Sequence, residues 1–238
     1  MLTNKGITYE QTDTVTVSGA VLEAHRLLGQ HSDPQVVAAY KMLRTRVLQR
    51  IRRNGWNAIA ITSATPGEGK SLTAANLAIS LSQEVNHTVL LVDMDLRTPS
   101  LHEMFALRPT YGLIDYLEGA AELSSVLINP GIPGLVLLPG GKPVPMSSEV
   151  LSTPQMIGLA DELKRRYPSR IVLYDVPAAA ARDDMLAFAP CVDAYLLVVG
   201  EGKATADDIR RVTEIMGATP RLGAVLNRSS SRDAQLEV

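Results

Sequence analysis

The chain has 238 residues, of which 46% are hydrophobic and 4% aromatic, and its formal net charge at pH 7 is −2. This length suits one sizeable α/β core built from aliphatic side chains, and the charge balance carries no signature of nucleic-acid binding. The single cysteine, Cys191, excludes an internal disulfide, and no apolar run approaches the roughly 20 residues needed to span a bilayer. We therefore expect a cytoplasmic protein, which something else must bring to a membrane if it works there.

The N-terminal part of the chain divides into a polar extension and a long helix. Residues 1–33 are predicted to form the extension, in which Thr14 to Val17 would add an edge strand. From Pro34 to Arg53 the apolar residues recur at helical spacing, which predicts one long helix with an apolar stripe. The arginines of this helix spread around its circumference, so solvated side chains are favoured over a contact with acidic lipid or a partner subunit. They are Arg44, Arg46, Arg50, Arg52 and Arg53.

Short apolar segments rich in β-branched residues alternate with stretches of helical spacing through the rest of the chain. The predicted strands are Asn57 to Thr62, Thr88 to Val92, Leu135 to Leu138, Ile171 to Tyr174, Ala194 to Val199 and Gly223 to Leu226. The predicted helices are Ser71 to Gln83, Met156 to Arg166, Arg182 to Phe188 and Ala206 to Met216. Because parallel strands need crossover connections, this alternation predicts an α/β fold with a doubly wound, mostly parallel sheet flanked by helices. We expect one such domain over residues 34–228 and a flexible tail over residues 229–238.

The segment between the first of these strands and its helix has the form of a phosphate-binding loop. Residues 64–71 read A-T-P-G-E-G-K-S, the pattern G-x-x-x-x-G-K-S/T with alanine at its first position. In such a loop, Gly67 and Gly69 let backbone N–H groups face a phosphate, Lys70 neutralises phosphate charge and the Ser71 hydroxyl binds Mg²⁺. A glycine-rich turn that merely joins a strand to a helix is less favoured, because both flanking elements and the Lys-Ser pair are in place.

Carboxylates follow two further predicted strands. Asp93 and Asp95 come at the end of one strand, and Asp175 comes at the end of another. The carboxyl ends of parallel strands open into the same crevice as the phosphate loop, and Mg²⁺ prefers oxygen ligands. Metal and proton-transfer roles are therefore favoured over helix capping, which would be the usual role of a single aspartate after a strand. The four histidines lack metal-ligand spacing, so we expect no zinc site.

Together these motifs resemble those of the bacterial tyrosine kinases, or BY-kinases, which are P-loop NTPases of polysaccharide chain-length control and export. Residues 63–71 satisfy the family's loop pattern, S/T-A/S/T/G-x-P-G-E-G-K-S/T, alanine included. Residues 93–97 match the family's D-x-D-x-R motif, and residues 175–177 match its D-x-P motif. Asp184 lies near the position of a further family aspartate. The resemblance extends over residues 36–228.

The resemblance implies a protein tyrosine kinase that depends on ATP and Mg²⁺. The implied catalytic residues are Lys70, Asp93, Asp95, Arg97 and Asp175. The implied cofactor-binding residues are Thr65, Pro66, Gly67, Glu68, Gly69, Lys70, Ser71, Leu72 and Asn227, and the implied metal ligands are Ser71, Asp95 and Asp175. Asp93 would accept the proton of the attacking tyrosine, and Asn227 would recognise adenine. Arg97 would stabilise phosphate charge or pair with an acidic neighbour.

Three features depart from the family pattern. The last tyrosine is Tyr195, so the C-terminal tyrosine cluster through which family members often phosphorylate themselves is absent. The ring-forming pattern E-x-x-R-x-x-R aligns here with Ala38, Lys41 and Arg44, which weakens the expectation of a homo-oligomer. The second proline of the D-x-P-P run is replaced by the first alanine of the run Ala178 to Ala181.

Three functions stay open from the sequence: a tyrosine kinase of exopolysaccharide synthesis, a regulatory ATPase switch of the same descent, and a partition ATPase of the ParA/MinD type. The missing tail tyrosines favour the switch. The intact acidic motifs favour the kinase, which would then modify another protein or an internal tyrosine such as Tyr9. The ParA/MinD type is disfavoured, because those proteins carry a lysine where this chain has Thr65.

The resemblance also implies a partner. Family members of this size that lack a membrane segment work with a membrane-bound polysaccharide co-polymerase, the chain-length determinant, whose cytoplasmic tail activates them. We therefore expect recruitment to the inner face of the plasma membrane, and no nucleic-acid partner.

Overall fold

The computed structural model describes residues 13–167 and 169–229, and over these residues one sheet contains eight strands in the order β1-β4-β5-β3-β6-β2-β7-β8. They are β1 (Asp13–Thr14), β2 (Ala58–Ser63), β3 (Thr88–Asp93), β4 (Ile128–Asn129), β5 (Leu135–Leu138), β6 (Arg170–Asp175), β7 (Ala194–Gly200) and β8 (Arg221–Asn227). Neighbouring strands are parallel except for the antiparallel pair β4 and β5. The predicted doubly wound, mostly parallel sheet is confirmed. The expectations for residues 1–12, Tyr9 included, and for 230–238 lie outside the described residues.

Helices cover both faces of the sheet. They are α1 (Gly19–Ala24), α2 (Pro34–Asn54), α3 (Lys70–Ser82), α4 (Leu101–Met104), α5 (Leu113–Leu117), α6 (Leu123–Val126), α7 (Ser147–Leu151), α8 (Pro154–Arg165), α9 (Asp184–Phe188) and α10 (Ala206–Met216). The long helix α2 begins after Asp33, whose carboxylate caps the Gln35 N–H at 2.7 Å, and ends at Gly55 in the left-handed conformation. Across residues 13–167 and 169–229, no helix has both the length and the apolar character needed to cross a bilayer.

The central strand β2 divides the core into two layers. Ala58 and Ala60 pack on the side of α8, α9 and α10, whereas Ile59 and Ile61 pack on the side of α2 and α3. A parallel sheet that is covered on both faces must be apolar along its whole length, which explains the unbroken apolar runs in the sequence. Both layers hold the strands rigidly, so the side chains at the strand ends have fixed positions.

The elements that the sequence did not predict are the short ones. The strand β4 and the helices α1 and α4 to α7 have between 2 and 6 residues each, too few for a periodic pattern to emerge. The predicted edge strand at Thr14 to Val17 does lie at the edge of the sheet, where the N–H of Val15 donates to the Asn129 carbonyl at 2.8 Å. Regular strand pairing, however, ends at Thr14.

The arginines of α2 correct one prediction. The Nε of Arg44 lies 3.1 Å from Glu84 Oε1, and its guanidinium also donates to the Ser80 carbonyl at 3.0 Å. Arg50 donates to the Leu222 carbonyl of β8. Solvation of these two side chains was therefore a wrong expectation, because α2 packs against α3 and β8 and each guanidinium reaches a backbone carbonyl there. Arg52 and Arg53 are exposed, as predicted.

We predict that Arg44→Ala lowers the free energy of unfolding by about 1 kcal/mol, because it removes a half-buried ion pair together with a hydrogen bond to a backbone carbonyl. Urea denaturation would measure this change. The matched control is Arg53→Ala on the same helix, which should leave the unfolding midpoint where it is. Equal midpoints for both variants would contradict the tethering role of Arg44.

Candidate nucleotide-binding site

The loop between β2 and α3 has the backbone shape that its glycines allow. Gly67 and Gly69 both adopt left-handed conformations, with φ of 79° and 92°. At Gly69 a second constraint applies, because a Cβ would lie 2.1 Å from the side-chain nitrogen of Asn227. Any other residue at position 69 would therefore have a strained backbone and would force the Asn227 side chain to move. The loop leads into the N-terminus of α3, where a helix offers free N–H groups to an anion.

Glu68 is the buried organiser of this loop. Its carboxylate accepts hydrogen bonds from the N–H and the hydroxyl of Thr65, and also from the Gly200 N–H at 2.7 Å. The side chain is fully buried and is not among the residues that line the cleft. It was predicted among the cofactor-binding residues, but in this structure the carboxylate ties the loop to the end of β7. Any direct contact with a phosphate would come from the backbone of Glu68 rather than from its side chain.

Asn227 ties the same loop to the end of β8. Its side-chain amide donates to the Glu68 carbonyl at 2.8 Å, and its side-chain oxygen accepts from the Arg228 N–H at 2.9 Å. Both polar groups of the side chain are thus engaged within the chain. The prediction that Asn227 recognises adenine stays a prediction.

Lys70 brings three of the predicted residues together. Its ammonium lies 3.2 Å from Asp95 Oδ2 and 3.4 Å from Asp175 Oδ1, and it donates to the Ser71 hydroxyl at 3.1 Å. Burial lowers the pKa of Lys70, but Asp175 and Asp95 raise it, and the net shift is upward. The ammonium is therefore charged at neutral pH and neutralises the carboxylates around it.

Asp175 provides the oxygen chemistry that a hard cation needs. Its side chain is fully buried, and among the contacts of the described residues its Oδ2 has no hydrogen-bond partner. Burial raises the pKa of Asp175, an effect that the neighbouring Lys70 ammonium opposes. An unsatisfied buried carboxylate oxygen beside a serine hydroxyl and a second carboxylate is a suitable donor set for Mg²⁺ with its bound waters. Ser71, Asp95 and Asp175 thus fit the predicted metal site.

Asp93 has a different environment from the other two carboxylates. Its Oδ2 accepts from the N–H groups of Ser100 and Leu101, at 2.8 and 2.9 Å, and its Oδ1 accepts from the Asp95 N–H at 3.3 Å. The side chain is fully buried and is absent from the lining of the cleft. It fixes the segment that joins β3 to α4. Burial, reinforced by the negative charge of Asp175, raises the pKa of Asp93 to about 7.

Arg97 takes the second of its two predicted roles in this structure. Its Nε donates to the Ser147 hydroxyl at 2.8 Å and lies 3.9 Å from Asp184 Oδ2, while its outer nitrogen lies 3.8 Å from Asp183. The Ser147 hydroxyl in turn donates to the buried carboxylate of Asp184. Arg97 thus ties the segment after β3 to α7 and α9, and it is absent from the cleft lining.

The cleft itself has a volume of about 420 Å³. Its lining residues are Pro66, Gly67, Gly69, Lys70, Ser71, Leu72, Asp95, Thr98, Ser100, Pro177, Ala178, Ala181, Arg182 and Arg228. Most loop residues predicted to bind the cofactor are among them. Arg182 and Arg228 were not predicted as site residues, because no motif includes them. Their only sequence signal is their position, because Arg228 directly follows β8 and Arg182 follows the alanine run after β6, at the carboxyl ends of strands that face the loop.

We predict that Glu68→Ala lowers the free energy of unfolding by about 2–4 kcal/mol and also impairs nucleotide binding, although this side chain does not line the cleft. The change leaves the buried Gly200 N–H without its acceptor and frees the loop. Denaturation and titration with Mg·ADP would measure the two effects. The exposed Glu214→Ala is the matched control. Unimpaired nucleotide binding by a folded Glu68→Ala protein would refute the organising role.

We also predict a pH effect from Asp93 in metal-free protein. A carboxyl whose pKa is raised on folding contributes stability below its unfolded pKa, and this contribution is lost as the pH rises towards about 7. Between pH 5 and pH 8 the free energy of unfolding should therefore fall by about 2 kcal/mol more in the wild type than in Asp93→Asn. Urea denaturation in EDTA at both pH values tests this, and parallel pH dependences would contradict it.

Comparison with known proteins places these features in a family. Residues 59–238 match the family described as the CobQ/CobB/MinD/ParA nucleotide-binding domain. The tyrosine-protein kinase YwqD of Bacillus subtilis is 33% identical over 190 residues, which is 79% of each chain. The succinoglycan biosynthesis transport protein ExoP of Rhizobium meliloti is 33% identical over 183 residues. That match covers 74% of this chain but 22% of ExoP, so this chain corresponds to about a fifth of that relative.

Among solved structures, the kinase domain of the Escherichia coli tyrosine kinase ETK superposes with a TM-score of 0.77 at 27% identity. The alignment covers 93% of this chain and 90% of that domain. The family model, the identity to YwqD and the superposition on the ETK kinase domain therefore agree with one another. The chain belongs to the bacterial tyrosine-kinase family of P-loop nucleotide-binding proteins.

Proposed function

We propose that this chain is an ATP- and Mg²⁺-dependent protein tyrosine kinase that acts in bacterial exopolysaccharide synthesis and export. The proposal rests on one observation. The side chains of Ser71, Asp95 and Asp175 all lie within 3.4 Å of the Lys70 ammonium, where the loop joins α3. A loop that only joined a strand to a helix would not need a buried cation beside two buried carboxylates, since such groups are costly to desolvate.

The phosphates of the nucleotide would be held by the loop backbone, the N-terminus of α3 and Lys70. Ser71, Asp95 and Asp175 would hold Mg²⁺ directly or through water. The metal ion would neutralise charge on the transferred phosphoryl group, which is the largest demand of this reaction. Lys70 would then exchange its carboxylate partners for phosphate oxygens. The other loop positions, Thr65, Pro66, Gly67, Glu68, Gly69 and Leu72, would shape this cradle.

We extend the proposal to the remaining family positions. Asp93 is proposed as the acceptor of the tyrosine proton, which requires the hydroxyl to reach a carboxylate that three backbone N–H groups hold in this structure. Arg97 is proposed to act by holding the segment after β3 through Ser147 and Asp184. Asn227 is proposed to border the adenine site from the end of β8.

The proposed partner is a membrane-bound polysaccharide co-polymerase that recruits the chain to the inner face of the plasma membrane. Support comes from the relative ExoP, whose name places it in succinoglycan biosynthesis and transport and whose sequence is far longer.

A homo-oligomer stays a prediction. Arg44, one of the residues aligned with the ring-forming motif, pairs with Glu84 of its own chain. The phosphorylated tyrosine would be one of the partner or an exposed tyrosine of this chain, such as Tyr111 or Tyr167.

A regulatory ATPase switch is the second candidate function. Tyr195 is the last tyrosine among the 238 residues and is 1% exposed, so its hydroxyl is not accessible as a phosphate acceptor in this fold. As a switch, the chain would hydrolyse ATP in the same cleft, with water as the attacking group, and hydrolysis would change its affinity for the membrane partner. The two functions share every residue around Lys70 and differ in the acceptor.

One labelling experiment separates the two. The protein is incubated with γ-labelled ATP and Mg²⁺, with and without the cytoplasmic tail of the co-polymerase partner, and both released phosphate and phosphotyrosine are measured. Lys70→Met should lower both by at least about a hundredfold, because it removes the positive charge that would neutralise the transferred phosphoryl group. The exposed Lys142→Met is the matched control and should retain activity. Lys70-dependent hydrolysis without phosphotyrosine in either sample would refute the kinase and establish the switch.

A further inference from the structure

Arg182 is a second cation directed at the carboxylate that Lys70 contacts. It follows the alanine run after β6 and lines the cleft beside Lys70 and Asp95. Its NH1 lies 3.6 Å from Asp95 Oδ1, whereas the Lys70 ammonium lies 3.2 Å from Asp95 Oδ2. Each oxygen of the Asp95 carboxylate therefore faces a different cation, and the two cationic groups lie close to each other.

The residues that line the cleft carry more positive than negative charge. Among the residues that line it, Lys70, Arg182 and Arg228 are cationic, and Asp95 is the acidic residue. Asp175 lies behind Lys70 and offsets part of this charge. A cleft with surplus positive charge and free backbone N–H groups attracts a polyphosphate. Arg182 contributes to this surplus from outside the phosphate-binding motif.

The pair between Arg182 and Asp95 is easily exchanged. At 3.6 Å it is a loose ion pair, and the arginine side chain is 35% exposed, so the pair contributes little stability. Asp95 is also one of the three residues that fit a metal ion. A divalent cation bound to this carboxylate would repel the guanidinium and leave it without its acidic partner. The methyl groups of Ala178 and Ala181 are the neighbouring part of the lining and leave room for a long side chain.

The position of Asp95 indicates which phosphate Arg182 would reach. Lys70 is the first residue of α3, and its ammonium lies 3.2 Å from Asp95 Oδ2, so this carboxylate stands at the charged end of the lysine. The loop and the helix N-terminus hold the inner phosphates, and the lysine of such a loop reaches the outer ones. A guanidinium beside Asp95 is therefore placed for the outermost phosphate. Its planar fork suits two oxygens of one phosphate group.

We propose that Arg182 distinguishes a nucleoside triphosphate from a diphosphate, by exchanging Asp95 for the terminal phosphate when a divalent cation occupies Asp95. This inference rests on the proposed function, because it assumes that the cleft binds a magnesium nucleotide. It assigns a specificity-determining residue to the loop after β6, where the alanine run departs from the family motif.

Equilibrium binding tests the assignment without any turnover. A non-hydrolysable ATP analogue and ADP are each titrated, with Mg²⁺, into the wild type, Arg182→Ala, Arg182→Lys and Arg210→Ala. Arg210 is an exposed arginine on α10 that pairs with Asp207, so it serves as the matched control. Arg182→Ala should weaken the triphosphate analogue about tenfold or more and ADP less than about threefold. Arg182→Lys should lie between this variant and the wild type.

The possible results are distinct. An equal loss for both nucleotides, or unchanged or tighter triphosphate binding in Arg182→Ala, would overturn the inference while leaving the proposed function intact. A wild type that binds neither nucleotide would remove the proposed function and the inference with it. Thermal melting without nucleotide provides the folding control, because an exposed loop arginine should not change the melting temperature.

Discussion

The arrangement of the whole site follows from like charges at the ends of adjacent strands. Asp93 and Asp175 occupy directly paired positions at the carboxyl ends of β3 and β6, and Asp95 follows two residues later. Three carboxylates crowded in a buried region repel one another, and each loses its hydration. The Lys70 ammonium relieves this at Asp95 and Asp175, and backbone N–H groups relieve it at Asp93. The Lys70 ammonium, at the start of α3, is thus held by carboxylates at the ends of other strands or just beyond them.

The two-layered core is what allows this arrangement to persist. Strands β2, β3 and β6 lie side by side in the sheet with both faces covered, so their ends cannot shift to relieve repulsion. The helix α3 packs in the same way, since all its residues from Thr73 to Ser82 are buried. A rigid scaffold of this kind maintains a cluster of carboxylates that repel one another and that a divalent cation can then stabilise.

The parts of the site that the sequence predicted are those that depend on neighbouring residues. The loop from Ala64 to Ser71 was recognised because its glycines, lysine and serine are consecutive, and the aspartates because each follows an apolar strand. The inward turn of Glu68 could not be predicted, since its acceptor role depends on Gly200, more than a hundred residues away. The same holds for Arg182, whose partner Asp95 follows β3, and for Arg44, whose partner Glu84 follows α3. Local patterns identify residue types that suit a chemistry, whereas the pairing of charges is a property of the folded chain.

The tether between Asn227 and Glu68 has a consequence for the order of assembly during synthesis. The two residues are 159 positions apart, and the Asn227 side chain both binds the Glu68 carbonyl and occupies the space beside Gly69. A nascent chain that has emerged only as far as β7 already contains every catalytic motif, but it lacks the group that closes the loop. Contacts between such distant residues form late, because a long segment must first be ordered. The growing polypeptide therefore acquires a finished phosphate cradle only when β8 has left the ribosome and joined the sheet.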